Sequence, residues 1–90
     1  MLKIQDTPQF IADFQAQLTA GENPAPFNIV VEHLEQKLPL PIRHCDNPLV
    51  GTHGRWCCLI SFDWWLIYKV DTKAGTITFE QTGSYKYLFE

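Results

Sequence analysis

The chain has no long apolar run. Stretches such as Trp64 to Ile67 fall far short of the ~20 residues needed to cross a bilayer, so no membrane-spanning helix is expected. Its opening, Met1-Leu2-Lys3-Ile4-Gln5-Asp6, lacks the apolar stretch of a secretory leader, and a cytoplasmic location follows by default. Cysteine is scarce and uneven: Cys45, Cys57 and Cys58 form an odd set with two neighbours, unlike the even, spread pattern of a small disulfide scaffold. Reduced, mostly buried thiols are the plain reading. Positive charge is also short. Seven Lys and Arg stand against ten Asp and Glu, giving −3, where a nucleic-acid binder usually carries a basic surplus. Overall charge leaves room for a local basic patch.

Apolar residues, by contrast, make up 46% of the 90 residues and aromatics 13%, enough to build one core, so a single domain over 1–90 is expected and disorder is not. Leu2-Lys3-Ile4 alternates like a short strand. Thr7-Pro8 reads as a helix start, with a hydroxyl cap and Pro at the first helical position. Phe10, Ile11, Phe14 and Leu18 make one apolar stripe, and Gly21 ends it. Asn23-Pro24-Ala25-Pro26 restarts the chain into a second stripe of Phe27, Val30, Val31, Leu34 and Leu38, stopped by Pro39 and Pro41. Residues 39–54, with three prolines and two glycines, read as loop. Strands are expected at Arg55–Ser61, Asp63–Val70 and Thr76–Thr82, the last two joined by the polar turn 71–75. The order β-α-α-β-β-β predicts an α+β fold: two N-terminal helices packed on a twisted antiparallel sheet.

Several words in the second half resemble the RelE/ParE superfamily of type II toxin–antitoxin toxins, specifically its YafQ-like branch. They are Leu38-Pro39-Leu40-Pro41, Asp46, Pro48-Leu49, Gly51, Asp63-Trp64, Leu66-Ile67-Tyr68-Lys69, Thr82-Gly83-Ser84 and Leu88-Phe89. The resemblance covers residues 38–90 well and the first half only in pattern. Thr-Gly-Ser alone is a weak signal; the order and spacing of the whole set carry it.

The resemblance implies a RelE/ParE-like fold and a ribosome-dependent mRNA endoribonuclease held inactive by an antitoxin protein, with ribosome and mRNA as further partners and no cofactor. In the implied reaction a ribose 2′-OH attacks the adjacent phosphate, which requires a proton acceptor, a cation for the phosphorane and an acid for the leaving oxygen. The family motif supplies histidines, an aspartate and an arginine. In this chain the His beside the loop aspartate Asp46 is Asn47, the strand His position falls on Leu59, the Arg before Thr-Gly is Gln81, and the His after Thr-Gly-Ser is Tyr85. Asp63 is retained, as are Trp64 and Phe89.

The candidate catalytic residues are therefore Asp63, Tyr85 and Lys86, with Trp64, Gln81, Arg55 and Phe89 as candidate substrate contacts. Related toxins outside this branch use Lys, Arg and Tyr in place of histidines, so a converging set of Tyr85, Lys86 and Arg55 stands beside the simpler reading of solvated surface charges. The alternative function is a catalytically silent homologue that works by protein binding, through antitoxin sequestration or gyrase inhibition.

Other constellations carry less. His44, Cys45, His53, Cys57 and Cys58 are possible zinc ligands, but their spacing is not C-x₂-C or H-x₃-H, and adjacent strand cysteines point to opposite faces. No metal site is assigned. Trp56, Trp64 and Trp65 could stack on bases, yet packing is the simpler role for each except Trp64, which the resemblance places at the site. Glu32, Glu35 and Asp13 read as solvated helix positions and His33 as a surface or partly buried one, and the first helix carries no Lys or Arg.

Overall fold

The computed structural model describes residues 1–90. The chain forms β1 (Lys3–Asp6), α1 (Pro8–Thr19), α2 (Ala25–Glu35), a 3₁₀ turn (Ile42–His44), β2 (Asn47–Pro48), β3 (Arg55–Ser61), β4 (Trp64–Asp71), β5 (Thr76–Gly83) and α3 (Tyr85–Phe89). No helix is long and apolar enough to cross a membrane.

The α+β arrangement expected from the sequence is present, with corrections in detail. The sheet is mixed: its order is β1-β5-β4-β3-β2, and β1 runs parallel to β5 while the other pairs are antiparallel. Short turns force β3, β4 and β5 to alternate in direction, whereas β1 returns through two helices and is free of that constraint. The expected loop contains β2, which pairs Asn47 with Cys57 and Pro48 with Trp56 on the outer edge of β3. Two residues of strand leave too little pattern to read.

Helix α1 begins as its sequence dictates. Thr7 Oγ1 accepts the Phe10 N–H (3.0 Å) and donates its own proton to the Glu80 carbonyl (2.9 Å). That carbonyl sits at a bulge, where β4–β5 pairing jumps from Ile67↔Gln81 to Tyr68↔Phe79. The cap thus fastens α1 to the sheet as well as starting it. Gly21, at φ +95°, supplies the left-handed residue after the helix.

Both long helices cover one face of the sheet. Phe10, Phe27, Val30 and Leu34 meet Cys58, Ile60, Trp64, Leu66, Tyr68, Ile77 and Phe79 in one core. The rings of Phe10, Phe14, Phe27, Trp64 and Phe79 form a linked cluster with centroids 4.8–6.1 Å apart. Strand alternation sends Arg55, Cys57 and Leu59 of β3, with Trp65, Ile67 and Lys69 of β4, to the opposite, open face. Leu38 does not extend the second stripe: α2 ends at Glu35, Lys37 turns left-handed at φ +60°, and Leu38 is exposed.

Candidate functional site

Asp63 sits in the turn between β3 and β4 at φ +48°. Its carboxylate accepts the Tyr85 N–H at 3.0 Å, which joins this turn to the start of α3, 22 residues away. Ser84 caps that helix, its hydroxyl accepting the Tyr87 N–H at 3.1 Å. The sequence pattern missed α3, because five residues give no helical period to recognise; the Ser cap after Gly83 was its only sign. The helix brings Tyr85, Lys86 and Phe89 to one end of the sheet.

An aromatic cluster lines that end. Tyr85 stands edge-on to Trp65 with centroids 6.2 Å apart and tilts against Phe89 at 5.0 Å. Tyr85 and Lys86 are exposed; Trp65 and Phe89 are half-buried. Gln81 lies on the open face, since it neighbours Thr82, whose hydroxyl turns into the core. Leu59 pairs with Trp65, and Trp65 with Gly83, so Leu59, Trp65 and Gly83 lie across the sheet at the level of Asp63 and Tyr85.

Two expected substrate contacts belong elsewhere. Trp64 is fully buried among Phe14 and Phe27 under the helices, its indole N–H donating to Thr82 Oγ1 at 2.7 Å, so it cannot stack on a base. The phase of the strand explains this: Trp64, Leu66 and Tyr68 share the core face, which leaves Trp65 as the tryptophan on the open side. Arg55 does not converge with Tyr85 and Lys86. It starts β3, four residues or roughly 13 Å along the strand from Leu59, and pairs with Glu80 through Nε at 2.5 Å. That pairing raises the affinity of the guanidinium for its proton, first by the hydrogen bond and then by the charge of Glu80.

Asp13 is also a correction. It is buried rather than solvated, and it ties three elements together: Oδ2 accepts the Thr82 N–H at 3.2 Å, while Oδ1 accepts the Tyr87 hydroxyl at 2.6 Å and the Gln9 amide at 2.8 Å. The bond to Asp13 is the main reason that the Tyr87 phenol holds its proton above the usual range. Gly83 completes the fit, for a Cβ there would lie 2.8 Å from Tyr87 Cδ2. Together these contacts fix the orientation of the helix that carries Tyr85 and Lys86.

Asp46 works on the other side of the sheet. It accepts a short hydrogen bond from Tyr68, anchoring the 39–54 loop to β4. Burial pushes the Asp46 carboxyl above its ordinary value, partly offset by that bond, and burial also pushes the Tyr68 phenol up. Asp46 and Tyr68 line the largest cavity, about 540 Å³, with Leu2, Leu34, Trp56 and Ile77; none of Asp63, Tyr85 or Lys86 borders it. His44 is buried at the outer edge of β3, its Nδ1 2.6 Å from the Leu59 carbonyl, and His33 Nδ1 lies 2.8 Å from the Ile29 carbonyl. No three of the His, Cys, Asp and Glu side chains gather in a metal-binding group.

The chain from residue 2 to residue 90 matches the family model for the bacterial toxin of type II toxin–antitoxin systems, YafQ. Among solved structures it is similar to a chain of the E. coli DinJ–YafQ complex, with 27% identity, a TM-score of 0.90 and full coverage of both chains. A metal-bound toxin from Helicobacter pylori is similar at 27% identity and a TM-score of 0.93, covering 99% of this chain and 100% of that one. A copper-bound mutant toxin from the same organism reaches 30% identity and a TM-score of 0.92 over the same shares. No curated protein matches by sequence.

Proposed function

Because the chain belongs to the YafQ family of type II toxin–antitoxin toxins, we propose that it is the toxin of such a pair, in the cytoplasm, with residues 1–90 as its one toxin domain. Its partner is an antitoxin protein, as YafQ is paired with DinJ in the similar E. coli complex. Its Asp63–Tyr85–Lys86 end binds mRNA on the ribosome and cleaves it slowly. The observation that carries this reading is the Asp63–Tyr85 backbone contact, which ties the Asp63 carboxylate to the start of the helix bearing Tyr85 and Lys86, with the rings of Trp65, Tyr85 and Phe89 packed beside it.

Each group has a role in the proposed step. Asp63 Oδ1 is occupied by the Tyr85 N–H, and Oδ2 takes the proton of the attacking ribose 2′-OH. The 2′-oxygen then bonds to phosphorus, and the Lys86 ammonium offsets the charge on the phosphorane. The P–O5′ bond breaks, and the Tyr85 hydroxyl gives its proton to the leaving oxygen. Trp65 and Phe89 flank the base, and Gln81 hydrogen-bonds phosphate. A carboxylate is a weaker base than an imidazole, and Gln81 brings no charge. General acid–base help is worth about 10²–10⁴ in rate, so a site without imidazole is expected to be slow.

The absence of imidazole and guanidinium from the family positions Asn47, Leu59, Gln81 and Tyr85 also favours a second reading, a silent homologue that acts by binding protein: its own antitoxin, or gyrase. Induced expression in a bacterial host separates the two. Growth arrest with mRNA cleavage supports the nuclease; arrest with DNA damage points to gyrase inhibition; no arrest leaves antitoxin sequestration.

A further inference from the structure

The positive charge missing from this chain is missing from one place. Residues 4–36, spanning the end of β1, α1 and α2, contain no Lys or Arg but hold Asp6, Asp13, Glu22, Glu32 and Glu35. The remaining residues carry all seven cations against five acids, so the helical layer holds −5 while the rest of the chain holds +2.

That layer also leaves apolar surface open. A groove of about 270 Å³ runs between α1 and α2, lined by Ile4, Phe10, Ile11, Phe14, Phe27 and Val31, with Asp6 at its border. Ile11 is 51% exposed, and Leu18, seven residues along the same stripe, is 37% exposed. Glu35 follows Phe27 and Val31 in four-residue steps and so continues the groove wall as an acid. Glu32 is exposed beside it. His33, tied to the Ile29 carbonyl, is the one further titratable side chain on α2. Apolar surface rimmed by charge of one sign marks a contact face.

The charge also decides what can cover it. A second copy would bring the same acids to a two-fold interface. RNA would bring phosphates against carboxylates. A basic, amphipathic protein segment satisfies both the groove and its rim. We propose that the α1–α2 face docks a segment of the antitoxin whose apolar side chains enter the groove and whose Lys and Arg meet Asp6, Glu32 and Glu35. This rests on the toxin–antitoxin reading above, and it gives the pair a polarity in which the toxin supplies the acidic side.

The test uses the chain co-expressed and co-purified with its candidate antitoxin, sought among the small proteins encoded next to it. Hydrogen exchange should slow on complex formation in residues 8–19 and 25–35. The Glu32→Lys/Glu35→Lys variant should weaken binding about tenfold or more, as should a rise from about 0.05 to 0.5 M salt. The Glu32→Gln/Glu35→Gln variant should weaken it less, and Lys69→Glu on the open face should leave it unchanged. Circular dichroism on each free variant shows that the fold is kept. Protection confined to the open face, or charge reversal that leaves affinity unchanged or improves it, overturns the proposal while the toxin–antitoxin reading stands. Protection of the helices in the free chain through self-association overturns it in favour of a second copy. Failure of any complex to form removes the parent reading and the proposal with it.

Discussion

Replacing Trp64 tests the structural account at its most informative residue. The side chain is fully buried, touches Phe14 and Phe27 at centroid distances of 6.1 and 6.0 Å, and donates to Thr82. Trp64→Ala removes ring and hydrogen bond together, a change that costs about 3–5 kcal/mol in a packed core. Against a total stability of about 5–15 kcal/mol, that is close to unfolding. Trp64→Phe keeps a ring against Phe27 but loses the N–H donor and one of the two fused rings, so about 2–3 kcal/mol is expected. Thr82 Oγ1 still donates to the Trp65 carbonyl at 2.6 Å, which limits the damage. Trp65→Ala should behave in the opposite way. Its ring is half-buried against Tyr85, so stability falls by about 1 kcal/mol, while loss of a stacking ring weakens contact with single-stranded RNA by about 1–3 kcal/mol. Urea unfolding followed by far-UV circular dichroism reads the first quantity, and fluorescence anisotropy with a labelled RNA oligonucleotide reads the second. A Trp64→Phe protein with wild-type stability and abolished RNA binding would refute the assignment of Trp64 to the core and Trp65 to the site.

Three further outcomes follow from named contacts. Gly83→Ala places a Cβ 2.8 Å from Tyr87 Cδ2 at φ +155°, so a loss of about 1–3 kcal/mol is expected; adding Tyr87→Ala should give non-additivity of about 1 kcal/mol or more in a double-mutant cycle, and strict additivity would deny the contact. Asp46 has its carboxyl raised by burial, so between its ordinary 3.8 and the raised value the folded chain binds more protons than the unfolded one, and stability falls as pH rises through that window. Asp46→Asn keeps an acceptor for Tyr68 and should flatten this slope without lowering the denaturation midpoint at pH 7; a drop of more than about 1 kcal/mol there would show that the carboxylate charge itself holds the loop. Returning the family groups with Leu59→His, Gln81→Arg and Tyr85→His should raise ribosome-dependent cleavage by about 10²-fold or more, and no gain would mean that these positions do not meet around one phosphate.

Much of the fold was legible because its long elements have clean periods. The α1 and α2 stripes, the Thr7-Pro8 start, the Gly21 stop and the three long strands are local patterns, and local patterns survive into the structure. What was illegible depends on partners distant in the chain. Nothing in Leu2-Lys3-Ile4 says that β1 lies parallel to β5, and the brevity of β2 and α3 hides them. At the site, the nearness of Asp63 and Tyr85 is anticipated only through the resemblance, which assigns both residues to one site. The strand phase that buries Trp64 was readable from Leu66 and Tyr68, yet the resemblance outweighed it. Asp13 looked like a solvated helix acid because its partners, Thr82 and Tyr87, lie about 70 residues away. Arg55 belongs to the far end of β3, a matter of register that composition cannot express.

The central claim is that the Asp63–Tyr85–Lys86 end of the open face acts on RNA. The most direct measurement is cleavage of an mRNA on translating ribosomes by the purified chain, compared with Tyr85→Phe and Lys86→Ala variants of confirmed fold. Slow cleavage by the parent chain that falls about 10²-fold in each variant is the predicted result. Equal cleavage by all three proteins, or none by the parent chain, would contradict it.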